Sequence, residues 1–373
     1  MNEINLSFPF TTLFLIALLV SFVSTAILIK LGKVLQIVDV PGKRKIHTQP
    51  VTRIGGLSFY LSFLISCLFI LFFMPRFWND KFLFVFTGLT LTAILGSFDD
   101  IKGISPYQKL LSQVLIGLLM YYLGFKIERI TNPFSGQVIK LNEILGGTIP
   151  PMITILWYAI IINAINIVDG LDGLAAGVTC ISSLSLFFLS IFMKKTDYVV
   201  TMSTLIIIGA TLGFLKFNYY PAKIFMGDTG SLQLGFLLAT IGLISETKGQ
   251  TTIALLAPII ILGVPIFDTA LAIIRRVINK KRIFVADRKH LHHRLLDLGL
   301  SQRQVVNLIY FICIYLGIIS FVLANLPAKY ILLMLIILTM GLFLGLESLN
   351  FIEKTLLKRE EENPKEKNRR NKY

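Results

Sequence analysis

The chain has 373 residues, of which 55% are hydrophobic and only 15% charged, with a formal net charge of +15. Soluble domains carry roughly a quarter charged residues, so this balance excludes a soluble globular protein of such a size. The apolar residues form long uninterrupted blocks and the basic ones fall between them and in the tail, a pattern of bilayer orientation and not of nucleic-acid binding.

A membrane span needs about 20 apolar residues. Candidate blocks lie near 11–31, 54–74, 82–98, 107–126, 149–167, 174–193, 198–216, 230–246, 251–274, 304–325 and 328–350. The first has no Lys or Arg ahead of it, follows Glu3 and runs on to Lys30, so it reads as an uncleaved span and not a signal peptide. Alternating the blocks puts the connections near 32–53, 99–106, 168–173, 217–229 and 275–303, with the tail from 351, on one side. With the span ends that face it, that side carries 27 of the 36 Lys and Arg residues. The positive-inside rule makes it cytosolic, with the N-terminus outside and the C-terminus inside.

The one long outer connection, 127–148, holds Asn132-Pro133-Phe134-Ser135-Gly136 between two strand-like stretches, which predicts a small external β-hairpin. The tail, 351–373, mixes Glu360, Glu361 and Glu362 with Lys and Arg and reads as a solvated, disordered cytosolic end. Cys67, Cys180 and Cys313 lie inside apolar blocks with no pairing pattern. The expected fold is therefore an all-α integral membrane protein: a polytopic bundle of about 11 transmembrane helices, one membrane domain over 1–350.

The polar motifs share the cytosolic side. Asp99 and Asp100 end the third block, and neighbouring helical residues diverge by about 100°, so the two cannot do the same job. One would face a metal or a reacting group while the other braces a loop or a lysine. Lys109, about one turn inside the next block, either snorkels or holds a phosphate. Asn163, Asn166 and Asp169 follow at i, i+3 and i+6, one helical face running into Asp169-Gly170-Leu171-Asp172-Gly173. Gly170 and Gly173 allow a tight turn and a close ligand.

Asn218 precedes Pro221-Ala222-Lys223-Ile224-Phe225-Met226-Gly227-Asp228-Thr229-Gly230-Ser231. A carboxylate beside the backbone N–H groups of a helix start suits a magnesium–diphosphate group. Phe225 or Tyr219 would stack a base, or serve as interfacial anchors. Three of the four His residues lie in His290-Leu291-His292-His293-Arg294, preceded by Asp287-Arg288-Lys289. The spacing is too tight for a closed zinc site and no cysteine joins it, so the cluster reads as a diphosphate or sugar contact, or as a basic patch for anionic lipid. The first cytosolic loop carries Arg44, His47, Arg53, Gly55 and Gly56. Asp268 lies about two turns inside the ninth block, where an acid is costly unless it has a basic partner or water.

Taken as a set, Asp99-Asp100, the Asn163–Gly173 stretch, Asn218 with Pro221–Ser231, and His290–Arg294 resemble the polyprenyl-phosphate N-acetylhexosamine-1-phosphate transferases, glycosyltransferase family 4. The resemblance covers nearly the whole membrane domain in the family's order. The first-loop pattern and His290-Leu291-His292-His293, in place of a run of consecutive His residues, are similar to the WecA/TagO-like branch, which uses UDP-N-acetylglucosamine, and not to the branch that takes UDP-MurNAc-pentapeptide. The resemblance implies a helical bundle of ten or eleven spans, often dimeric. It also implies Mg2+ (Mn2+ as a substitute), a UDP-sugar donor, undecaprenyl phosphate from the membrane lipid as acceptor, and UMP as product. Carried over residue by residue, Asp228 binds the metal with Asn166 nearby, and Asp99 or Asp100 deprotonates or orients the lipid phosphate. Lys109 and Asp172 fall at positions for the nucleotide, Asn163 and Asp169 are substrate-binding, Asn218 and Phe225 line the uridine region, and His290, His292, His293 and Arg294 face the sugar and diphosphate. A two-step route with an aspartate nucleophile stays open. A transporter or flippase would instead place polar groups near the bilayer midplane and often show repeated halves, and neither feature is visible in the sequence.

Overall fold

The computed structural model describes residues 7–40, 50–131, 137–192, 197–247, 256–280, 290–326, 330, 332–334, 336–341, 344–345 and 347–348. The first-loop basic cluster with Arg44 and His47, the hairpin turn 132–136, Asp287-Arg288-Lys289 and the tail lie outside the described residues, as does much of the block at 328–350.

Runs of Leu, Ile, Phe and Val become helices here because in hydrocarbon a helix satisfies its own backbone polar groups. Seven described helices are long and apolar enough to cross a membrane. They are α1 (Ser7–Val34), α3 (Asp80–Lys102), α5 (Ile149–Val168), α6 (Leu174–Phe192), α7 (Tyr198–Asn218), α8 (Gly227–Thr247) and α12 (Gln302–Asn325). Two helices of 17 residues, α2 (Leu57–Phe73) and α4 (Pro106–Tyr122), coincide with the second and fourth apolar blocks. Polar residues set the helix starts. Ser105 with Gln108 and Ser301 with Gln304 form capping boxes on α4 and α12, and Asn79 caps α3.

The ninth block does not form one continuous helix. Its described part is α9 (Leu256–Ile261) and α10 (Gly263–Ile278), separated at Leu262. Pro265 offers no backbone N–H to the preceding turn and its ring crowds the carbonyl four residues back, so the chain bends there. A short helix, α11 (Leu291–Asp297), precedes α12.

Two small strand pairs complete the fold. On one, β3 (Arg129–Thr131) and β4 (Val138–Lys140) are antiparallel, at the site of the expected hairpin. The other was not foreseen: β1 (Val38–Asp39) pairs with β2 (Val51–Thr52), and Thr52 bridges in parallel to Ile224.

At the centre stands α8, packed against α3 and α5 with α2, α6 and α7 around it, while α1 covers α7 and α12 covers α6. Small residues let the backbones approach, as is usual between membrane helices. An added Cβ at Gly56 would lie 2.1 Å from the backbone nitrogen of Gly230, and one at Gly96 would lie 2.4 Å from Thr229 Cα. The start of α8 is thus wedged between the beginning of α2 and the end of α3. Gly56→Ala is expected to overpack this contact and cost about 1–3 kcal/mol. Gly341→Ala, where nothing lies within 4 Å, is the control. Melting in detergent checks the pair, and equal stability would mean that the α2–α8 approach does not constrain the fold.

Candidate active site

The wedged start of α8 needs its free N–H groups satisfied, and a carboxylate from another helix does this. Asp100, near the end of α3, accepts from the backbone N–H of Asp228 (2.9 Å) and Thr229 (2.8 Å) and from the Thr229 hydroxyl (2.7 Å). Arg53 Nε adds a fourth contact at 3.1 Å, and the Asp100 side chain is only 2% exposed. Gly227 turns the chain into α8 with φ +67°, and a Cβ there would meet Asp100 Oδ2 at 2.5 Å. A side chain is excluded at that position by conformation and by space.

Arg53 reaches this point because the first loop runs beside the loop before α8. Phe225 N–H donates to the Thr52 carbonyl, Gly55 N–H to that of Phe225, and Gly56 N–H to that of Met226. The guanidinium then spans two acids, with Nη2 3.5 Å from Asp228 Oδ2.

Asp228 is the hub. Its Oδ1 lies 3.1 Å from Lys109 Nζ and accepts from Asn166 Nδ2. Lys109 also pairs with Asp99 Oδ2 at 2.8 Å and donates to Asn166 Oδ1 at 3.4 Å. The other Asp99 oxygen accepts from Ile104 N–H at 3.0 Å, and Asn166 Nδ2 donates to Ser231 Oγ at 2.8 Å. Three carboxylates, Asp99, Asp100 and Asp228, therefore share two cations, Lys109 and Arg53. The surplus negative charge is felt by Asp169 at the end of α5. Burial first, then the charges of Asp228 and Asp100, hold its carboxyl well above the usual range, with Arg53 opposing.

Not every residue of the Asn163–Asp172 stretch points at this hub. Asn163 exchanges hydrogen bonds with Gln113 of α4 and donates to the Ala159 carbonyl, so it ties α4 to α5 below the site. Asp172 accepts from Ala222 N–H at 2.9 Å. Asn218 accepts from Gly173 N–H at 3.1 Å and donates to the Ile224 carbonyl at 2.8 Å. Both lock the turn after α5 to the loop before α8, on whose edge Phe225 is half-buried.

The His cluster closes the far side. His290 Nδ1 lies 3.1 Å from Asp268 Oδ2, whose other oxygen accepts from Leu291 N–H at 2.9 Å. His292 is buried, its ring parallel to His290 at 6.0 Å and in contact with His293 at 4.3 Å. A Cβ on Gly170 would lie 2.5 Å from His292 Nε2, so α11 rests on the turn beside Asp169. Burial, then the neighbouring His293, pushes the His292 imidazole down to about 4, so it stays neutral at ordinary pH. Arg294 is half-buried on the same helix.

Asp99, Asp100, Lys109, Asn166 and Asp228 are brought together. Asn163 ties α4 to α5 through Gln113, and Asp172 and Asn218 bond to backbone groups beside the hub. Sequence reading assigned no side-chain role at the hub to Arg53, Thr229 or Ser231. The Arg53-Ile54-Gly55-Gly56 stretch, a lone cation before two small residues, was the signal for the first.

Residues 82–246 match the family described as Glycosyl transferase family 4. The chain is 36% identical over 312 residues to a probable undecaprenyl-phosphate N-acetylglucosaminyl 1-phosphate transferase of Bacillus subtilis, covering 84% of each. The chain belongs to this family. A decaprenyl-phosphate N-acetylglucosaminephosphotransferase of Mycobacterium leprae is 32% identical over 333 residues, 82% of this chain and 81% of that protein. A phospho-N-acetylmuramoyl-pentapeptide-transferase of Clostridium botulinum is 35% identical over 281 residues, 72% and 81%. The family match spans the hub from α3 to α8, and Arg53 and the His cluster lie outside the matched segment.

The geometry makes the aspartate pair unequal. Asp100→Ala is expected to cost on the order of 3 kcal/mol, because it strands Arg53 and the N–H groups that start α8. Asp99→Ala is expected to cost about 1 kcal/mol, since Lys109 keeps Asp228. Thermal unfolding of the two variants in detergent compares them; equal losses would refute the distinction.

Proposed function

We propose that this multi-pass membrane protein transfers N-acetylglucosamine 1-phosphate from UDP-N-acetylglucosamine to undecaprenyl phosphate, at the cytosolic face. The products are undecaprenyl-diphospho-N-acetylglucosamine and UMP, the first lipid-linked step of a cell-envelope glycan. The observation that carries this reading is the hub itself: Asp228 at a helix start, shared by Lys109, Asn166 and Arg53, in a chain of this family. The named activities of the Bacillus and Mycobacterium relatives support the substrate class. The His290-Leu291-His292-His293 pattern supports N-acetylglucosamine over the MurNAc-pentapeptide.

In the proposed reaction an oxygen of the lipid phosphate attacks the sugar-bearing phosphorus. The bond to the bridging oxygen breaks, and UMP leaves with that oxygen. Such a transfer asks for alignment and charge neutralisation more than for covalent help. Lys109 and Arg53 would neutralise phosphate oxygens. Asp99, on the open side of the pair, would orient or deprotonate the acceptor, and Asp100 would keep the helix start aimed.

The donor set also fits magnesium. Among the described residues no three His, Cys, Asp or Glu form a cage, but magnesium typically takes one or two carboxylates plus phosphate and water oxygens. Asp228 would supply such a carboxylate beside surplus negative charge, and Asn166, which turns Nδ2 to Asp228 and Oδ1 to Lys109, would add its amide oxygen only with the amide turned over. The chemistry such an ion supplies is charge neutralisation on the diphosphate.

The test is purified protein with undecaprenyl phosphate, magnesium and a panel of UDP-sugars, scoring UMP. UDP-N-acetylglucosamine is expected to turn over fastest, chelator to abolish release, and Asp228→Asn to lower turnover on the order of 10²-fold. Faster use of UDP-MurNAc-pentapeptide would overturn the sugar assignment, and full activity in chelator would overturn the metal.

The full proposal has eleven spans with the N-terminus outside. Cysteines placed at the exposed Lys223 and Lys140 are expected to label from the cytosolic and the outer side respectively. The reverse result would rule out the orientation.

A further inference from the structure

Asp268 is a buried acid that the hub does not use. It lies on α10 and is 5% exposed. An acid so placed is costly without compensation, and its two oxygens are both engaged. Oδ2 meets His290 Nδ1 at 3.1 Å, and Oδ1 accepts the Leu291 N–H at 2.9 Å. One carboxylate therefore fixes both the ring of His290 and the first turn of α11, the helix that sets His292 against Gly170.

From this geometry we infer that Asp268 is a positioning residue for the donor side of the site: it holds His290 as the Nδ1–H tautomer and leaves Nε2 as the ring atom that meets the nucleotide sugar. A carboxylate accepts and cannot donate, so the contact at Nδ1 requires the proton there. Such an acid orients a ring and selects its tautomer without touching substrate. The His292 ring lies parallel to it, with centroids 6.0 Å apart. Because α10 starts just after the break at Leu262, this carboxylate also ties the broken ninth block to the reacting end of the molecule.

The contact of His290 with the donor rests on the proposed transferase reading; the Asp268–His290 pairing does not. The test separates them. Asp268→Asn keeps an oxygen for the Leu291 N–H but offers an N–H to Nδ1, so it conserves the helix start while favouring the opposite tautomer. The protein has only four His residues, which makes imidazole nitrogen NMR on histidine-labelled protein tractable. The expected result is one Nδ1–H signal that disappears in His290→Gln and changes to the Nε2–H form in Asp268→Asn, with melting temperature close to the parent. UMP release by Asp268→Asn is expected to fall about 10- to 100-fold in kcat/KM for the UDP-sugar, by analogy with the loss of other ring-orienting partners. The KM for undecaprenyl phosphate should not move, and Asp268→Glu should restore part of the loss.

An unchanged His290 spectrum in Asp268→Asn would overturn the inference, whatever the enzyme does. So would a changed tautomer with unaltered kcat/KM for a donor that the parent turns over. If the parent releases no UMP from any UDP-sugar, the functional reading fails while the NMR arm still decides the pairing.

Discussion

The site depends on one carboxylate closing one helix. The start of α8 is driven into a space between α2 and α3 where water cannot solvate its first N–H groups, and helix ends left that way are expensive. Asp100 removes the cost by taking two backbone N–H groups and a hydroxyl at once. Because those N–H groups belong to Asp228 and Thr229, the same bonds that make the helix start tolerable also aim the Asp228 side chain. Stability and aim are therefore set by the same atoms, which is why the pair Asp99-Asp100 divides into a brace for the helix and a partner for Lys109.

Around that point the chain is gathered from five places. The first loop brings Arg53 by strand-like pairing with the segment before α8. The end of α3 brings both acids, the start of α4 brings Lys109, and the end of α5 brings Asn166. The His-bearing helix lies across the turn that follows. The Arg53 loop is pinned by backbone bonds to the segment before α8, and the other hub residues stand at helix ends, so the polar network is held by the packing of apolar helices beneath it.

Much of this was legible in the sequence, for physical reasons. Blocks of apolar residues announce helices because hydrocarbon leaves the backbone no other choice, and the five hub residues stood out as polar groups at block ends. The pairing of β3 with β4 followed from turn chemistry. What could not be read was which atom faces which. Asn163 and Asn166 share a helical stripe, yet one meets Gln113 and the other Asp228, a choice made by whichever helix packs against each level. Asp172 and Asn218 look like ligand residues by type and turn out to hold backbone. The partner of Asp268 was equally hidden, since His290 is 22 residues away and beyond the bend at Leu262.

The burial of α8 has a consequence for how the protein is made. Its apolar window has a mean hydropathy of 1.2, against 2.6 for α1, and 94% of that window is covered by the rest of the chain. Gln233, Ser231 and Thr240 are tolerable because protein surrounds them, whereas the same residues facing lipid would oppose partitioning. During synthesis such a segment is a poor candidate to leave the translocon on its own. It is stable once α3 and α5 are there to receive it, so the polar hub depends on helix association and is not a local event.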